Sequence, residues 1–175
     1  FVAASGMIMS VISLYVPISI YINGRQLSSA QINSFLAWRI PFSHFLLLLS
    51  LLTWVTVRHA VAVLQVKDNR LRLRGIRFQG PVFLLFPYAL YVLYQGLNIG
   101  MPLLTIFAIV SMISAITISL YVYKTTVSPR AWIIEHFSSM VGSGVAVYTA
   151  FFAAGGRRLL TQWLPGDWQL LTWLL

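Results

Sequence analysis

The sequence predicts an all-α integral membrane protein: a bundle of five transmembrane helices, with a partial or interfacial sixth segment at the C-terminal end. Of its 175 residues, 59% are hydrophobic and 9% are charged. An average soluble domain is about 45–50% apolar and about 25% charged. The apolar residues also fall into runs of roughly 20, the length that crosses a bilayer as a helix. These observations exclude a soluble globular domain and a disordered tail.

Five apolar runs define the predicted spans, which form one transmembrane domain. They lie at about 1–22, 42–66, 82–97, 103–123 and 132–154, and residues 159–175 are the partial or interfacial segment. Turn residues separate them: Asn23-Gly24 follows the first run, and Pro129 stops the fourth. Between the first two runs, residues 26–40 can form a short interfacial helix, with Trp38 and Arg39 at the membrane boundary.

The basic residues predict how the chain lies in the bilayer. Twelve Lys and Arg residues against three acidic residues give a formal net charge of +9. In a membrane protein, basic residues in short loops indicate the cytoplasmic side rather than nucleic-acid binding. The densest group follows the second run, and its alternation with Leu71 and Leu73 is compatible with a short extended piece. We expect it to face anionic lipid head groups, and the chain to start in the cytoplasm. The group is Lys67, Arg70, Arg72, Arg74 and Arg77.

Histidines within the predicted spans are the candidate cofactor ligands. Ionisable groups inside a membrane are costly and therefore candidates for function. Imidazole is a common metal ligand, so His44, His59 and His136 are candidates for holding one b-type haem or one chlorophyll-type pigment. The structural alternative is that these histidines hydrogen-bond to neighbouring helices. In that interpretation, an ion pair between Arg58 and Glu135 makes both charges tolerable.

The fifth run carries a small residue at every fourth position. Small residues at this spacing let two membrane helices approach closely. The ridge indicates either packing within the bundle or docking onto another membrane subunit. Its members are Ser138, Gly142, Ala146, Ala150 and Ala154.

The functional hypotheses follow from what the chain contains. No paired carboxylates, phosphate-binding glycine loop or Ser/His/Asp set is apparent, and cysteine is absent, so we expect a protein that is not an enzyme. The leading hypothesis is a non-catalytic subunit that packs in the lipid bilayer against other membrane-protein subunits, in a respiratory or photosynthetic assembly. The alternatives are a tetrapyrrole-binding redox or pigment protein and a small-molecule or lipid transporter. The lack of internal repeats argues against the transporter.

The segment from Trp132 to Leu175 resembles an uncharacterised family of bacterial polytopic membrane proteins. The resemblance rests on His136-x3-Met140, on Ala146-x2-Thr149-Ala150-Phe151, on Leu164-Pro165, and on the ending Trp173-Leu174-Leu175. It implies a multi-pass protein of the bacterial inner membrane, with further helices ahead of residue 1. We accordingly expect the chain, which starts at Phe1, to be trimmed or processed at its N-terminus.

Overall fold

The described part of the chain is helical throughout. The computed structural model describes residues 3–12, 14, 28–67 and 69–151. No strand occurs among these residues. The α-helices, joined by one 3-10 helix at Arg70–Arg74, are α1 (Ala3–Ile12), α2 (Ser29–Val66), α3 (Ile76–Ile99), α4 (Pro102–Tyr123) and α5 (Ala131–Phe151).

Three of these helices, α2, α3 and α4, are long and apolar enough to cross a membrane. They contain the predicted spans 42–66, 82–97 and 103–123. Helix α5 corresponds to the predicted fifth span; it has 21 residues, but polar residues such as Glu135 and Ser139 lower its hydropathy. The first predicted span is represented by the ten-residue helix α1, and the segment 159–175 lies outside the described residues.

Helix α2 corrects the prediction of a separate interfacial helix at 26–40. One helix of 38 residues runs from Ser29 through Pro41 to Val66. Its start is stabilised by a capping box. The Ser28 hydroxyl oxygen accepts a hydrogen bond from the backbone N–H of Gln31, and Gln31 Oε1 accepts one from the backbone N–H of Ser28. The predicted division rested on the change from polar residues at 26–40 to the apolar run that starts at residue 42. Pro41 is instead buried inside the continuous helix.

Helix α2 is also the centre of the molecule, because α3, α4 and α5 all pack against it. Its buried side chains, including Phe45, Leu48 and Leu52, meet Leu85 of α3 and Leu104 of α4 in the main apolar core. The neighbouring helices thus bury one central helix, and α3 and α4 keep much of their own surface exposed.

A tight turn joins α3 to α4. Gly100 ends α3 in the left-handed conformation (φ 68°), and its N–H bonds to Gly96 O. Residues other than glycine pay a steric cost at this φ. Gly96 itself lies against Leu104 and Thr105 with no room for a Cβ atom. Two glycines therefore determine how closely α3 and α4 approach.

Residues 70–74 form a 3-10 helix rather than the short extended piece suggested by the alternation of Arg and Leu. The prediction of an extended piece is wrong because the two leucines do not share one buried face. Leu73 is buried with Val63 and Val122, whereas Leu71 is exposed. The compact turn brings Arg70 and Arg74 to the C-terminal end of α4.

Candidate functional site

Small side chains bring α5 close to α2. Ser139, Ser143 and Ala146 are buried on the face of α5 that meets α2. Small residues let helix backbones approach closely where lipid supplies no hydrophobic driving force. Polar groups of the two helices can therefore reach one another directly, and two such contacts lie one residue apart on each helix.

The first contact is an acid–base pair. His59 Nε2 of α2 lies 2.9 Å from Glu135 Oε1 of α5. The side chains are 6% and 18% exposed, respectively, and the ring of Tyr121 packs edge-on against the imidazole, with centroids 5.9 Å apart. A buried charge needs a partner, and this pair satisfies both groups. The two residues are 76 positions apart in the chain, so the contact joins α2 to α5.

The second contact uses the next residue of each helix. His136 Nδ1 lies 3.2 Å from the carbonyl oxygen of Ala60, so the imidazole donates to it. Because an i→i−4 helix bond leaves a carbonyl lone pair unused, the backbone of α2 can accept this extra bond. Together the two contacts set the register of α5 on α2.

Arg58 does not form the predicted ion pair with Glu135. Its Nη2 donates to Arg77 O at 2.7 Å, and its guanidinium lies over the rings of Trp54 and Phe78 at 5.3 and 5.1 Å. Arg58 and His59 point about 100° apart on the helix. Only His59 faces α5, which is why Glu135 pairs with it.

His44 lies in a separate aromatic cluster between α2 and α3. Its Nδ1 is 3.0 Å from the hydroxyl of Tyr88, and its ring packs edge-on against Tyr91 at 5.1 Å. The Tyr91 hydroxyl accepts from Gln95 Nε2 at 2.5 Å. The tyrosines of α3 therefore contact α2 through this histidine.

The structure does not gather the three candidate haem ligands around one space. His44 and His59 are fifteen residues apart on α2, about 22 Å along its axis. His59 and His136 each engage a neighbouring helix directly. The cavity that borders His59 has a volume of about 10 Å³, which suits one water molecule. Among the described residues, no group of three His, Cys, Asp or Glu side chains is placed to hold a metal ion.

A buried glutamine borders the same small cavity. Gln79 Nε2 donates to Leu73 O at 3.2 Å, and its Oε1 has no partner among the described residues. A buried polar atom without a partner is costly, so one water molecule bound at Gln79 Oε1 fits this space. The sequence carries no pattern that marks Gln79. Only the structure shows that its side chain is buried and connects the start of α3 to the 3-10 helix.

The predicted lipid-facing basic group divides into two sets. Arg70 Nη1 donates to Tyr121 O and Lys124 O, each at 2.9 Å, and Arg74 Nε donates to Val122 O at 3.3 Å. These bonds satisfy carbonyls at the C-terminus of α4, where a positive charge is also favoured by the helix dipole. Sequence reasoning missed this capping role. The other three, Lys67, Arg72 and Arg77, are exposed, and Lys67 Nζ lies 5.7 Å from the Trp132 ring.

The predicted ridge of α5 divides between the inner and outer faces. Ala146 is buried in the bundle, whereas Ser138 and Gly142 are exposed. A Cβ atom added at Gly142 would meet nothing within 4 Å. The side chain of Ala150, and Ala154 altogether, lie outside the described residues. A four-residue step advances a helix position by about 40°, so such a row drifts from one face to the next.

Comparisons with models of known protein families, with characterised proteins and with solved structures give no match in any of the three. The resemblance to a bacterial membrane family therefore stays a prediction. Within the part of the chain that the structure describes, fold and site together define a helical protein with three helices able to cross a membrane and a buried acid–base pair between two helices.

Proposed function

We propose that the protein is a non-catalytic membrane subunit that packs against a partner helix through the outer face of α5. In this proposal α1 and α5 join the three apolar helices in a five-span bundle of the bacterial inner membrane. The chain starts on the cytoplasmic side, as the basic residues indicate. The partner belongs to a larger bacterial membrane complex.

The exposed position of Gly142 carries this proposal. Internal packing explains Ser139, Ser143 and Ala146, but it does not explain a glycine on the outer face of a helix. Glycine costs about 1 kcal/mol relative to alanine in a helix interior. Close approach of another backbone offsets this cost in membrane proteins. Large apolar side chains, Val141 and Val145, stand exposed beside Gly142 and can contact the flanks of the approaching helix.

The polar groups described above fit a structural subunit. His59 and Glu135 are occupied with each other, and His136 and Arg58 are occupied with backbone carbonyls. Each of these contacts joins two elements of the bundle. Such contacts hold the helices in fixed orientations, as expected of a subunit that offers a rigid surface to its partner.

A single substitution on each side of α5 tests the proposal. Gly142→Leu fills the space that a partner helix needs. We expect the amount of this subunit retained in the native complex to fall about tenfold or more, the scale of overpacking an interface. Gly144→Leu is the matched control, because a Cβ atom there also meets nothing within 4 Å and the position points about 160° away. The measurement is the size distribution of the gently solubilised complex.

The chain contains no cysteine, so single cysteines can locate the contact directly. Ser138→Cys is expected to cross-link to a neighbouring subunit in native membranes, and a cysteine at Gly144 is not. A complex of unchanged size with Gly142→Leu, together with no cross-link from position 138, would overturn the proposal.

A further inference from the structure

An apolar groove runs between α3 and α4, on a different part of the bundle from the outer face of α5. Its volume is about 660 Å³, within the range of about 300–1,000 Å³ typical of small-molecule sites. The walls come from the first half of α3 and the last half of α4. The lining residues are Val82, Phe83, Phe86, Ala115, Ile116, Ser119, Leu120, Tyr123 and Lys124.

One positive charge stands at the end of this groove. Lys124 is exposed, and its ammonium group makes no hydrogen bond or ion pair with any described residue. The nearby Arg70 and Arg74 are held by carbonyls at the end of α4, and they add positive potential there. The described part of the chain places no acidic side chain in the groove lining. The site therefore combines an apolar trough with a cation at its mouth that no acidic side chain of the described residues neutralises.

One hydroxyl inside the groove also lacks a partner in the described structure. Ser111 and Ser114, earlier in α4, each donate to the carbonyl four residues before, at 2.8 Å. Ser119 makes no such bond and lines the groove instead. An unpaired hydroxyl in apolar surroundings is costly. It lies five residues before Lys124, or about 7.5 Å deeper along the helix axis.

We propose that this groove binds one anionic phospholipid from the leaflet next to the basic segment. The phosphate meets Lys124, the hydroxyl of Ser119 donates to an ester carbonyl of the lipid, and an acyl chain lies along Phe83 and Phe86. Charge complementarity favours this occupant, because an apolar partner helix brings no counter-charge to Lys124. The phosphate of a zwitterionic lipid is already balanced by the cation of its own head group, whereas an anionic lipid brings a net negative charge.

Native mass spectrometry of the full chain tests the site. The purified protein is equilibrated in detergent with equal amounts of phosphatidylglycerol and phosphatidylcholine, and the bound lipid is counted per chain. We expect one phosphatidylglycerol to be retained. Lys124→Gln should weaken its retention about fivefold, the effect of losing one basic contact with an anionic lipid. Arg130→Gln, which neutralises an exposed residue of the same loop, should leave it unchanged.

A second variant examines the groove itself. Ser119→Leu puts an apolar side chain into the trough and should reduce retention of both lipids, whereas Lys124→Gln should reduce only that of the anionic one. Both positions are solvent- or lipid-accessible, and the thermal unfolding of each variant checks that it folds. Equal retention of the two lipids by the unmodified protein, or equal losses with Lys124→Gln and Arg130→Gln, would overturn the proposal. Occupation of the groove by a co-purified protein helix would overturn it as well.

Discussion

The pairing of His59 with Glu135 depends on which of two adjacent residues faces α5. Arg58 and His59 are adjacent basic residues in a helix that can cross a membrane. From the sequence alone, either one could be the partner of Glu135. Their directions differ by about 100°, and the cation of Arg58 is already held by Arg77 O and two aromatic rings. His59 alone meets the carboxylate, at 2.9 Å.

A double-mutant cycle should detect this pairing. We expect His59→Leu and Glu135→Leu to show a coupling energy of about 1–2 kcal/mol, because each single change leaves a buried polar partner behind. The corresponding cycle of Arg58→Leu with Glu135→Leu should be additive within about 0.5 kcal/mol. The measurement is the free energy of unfolding in a lipid or detergent environment. Stronger coupling to Arg58 than to His59 would contradict the structure.

At the scale of the elements, hydrogen bonds from side chains satisfy the free backbone groups at helix ends. The capping box of Ser28 and Gln31 starts α2 before its apolar part. Arg70 and Arg74 satisfy the last carbonyls of α4 from a different element. The first device is local and can be recognised in sequence. The second joins residues about 50 positions apart, and no local pattern predicts it.

The α3–α4 hairpin supplies the second prediction. Gly96→Ala would place a Cβ atom 2.9 Å from the backbone nitrogen of Thr105, so α3 and α4 must separate. We expect a loss of about 1–3 kcal/mol in the free energy of unfolding, the scale of overpacking.

The control for this prediction is the same substitution where space is open. Gly144→Ala in α5 meets nothing within 4 Å, and it should be neutral or stabilising by up to about 1 kcal/mol, since alanine is the better helix former. The comparison uses thermal or denaturant unfolding of both variants. Equal stability of Gly96→Ala and the unmodified protein would show that the helices are not in close contact.

At the scale of the whole molecule, one long helix organises the rest. At 1.5 Å per residue α2 is about 57 Å long, whereas the hydrocarbon core of a bilayer is about 30 Å thick. Its exposed polar start, which includes Gln31 and Asn33, can therefore extend beyond the core while the buried part crosses it. The basic segment follows the other end of α2.

The structure also predicts which loops share a side of the membrane. Arg70 reaches Lys124 O at 2.9 Å, so the segment after α2 and the loop after α4 lie at the same end, and the α3–α4 turn lies at the opposite end. Asn69→Cys and Thr126→Cys should be labelled by an impermeant maleimide from one side, and Asn98→Cys from the other. From the basic residues we expect the first two on the cytoplasmic side.

Inside-out and right-side-out vesicles provide the measurement. The chain contains no cysteine of its own, so each label reports a single position. Labelling of positions 69 and 126 from opposite sides would contradict the fold. Labelling of both from outside the cell would leave the fold intact and reverse the proposed orientation.

The sequence alone determined the class of structure and the approximate extent of three helices. This part was predictable because apolar runs of about 20 residues are a local property, and a bilayer accepts such runs only as helices or closed barrels. The same reasoning identified His59, Glu135 and His136 as residues with a structural or functional role. It divided α2 between residues 40 and 42, because a local change from polar to apolar residues does not show whether one helix continues through it.

The tertiary structure decided which of these residues meet. The partner of Glu135, the capping of α4 by Arg70, and the exposure of Gly142 beside the burial of Ala146 all depend on how helices rotate about their axes. A rotation of one residue, about 100°, exchanges an inward side chain for an outward one. The physical reason is that helix rotation is determined by packing among several elements, and an apolar sequence, hydrophobic on most faces, encodes that rotation only weakly.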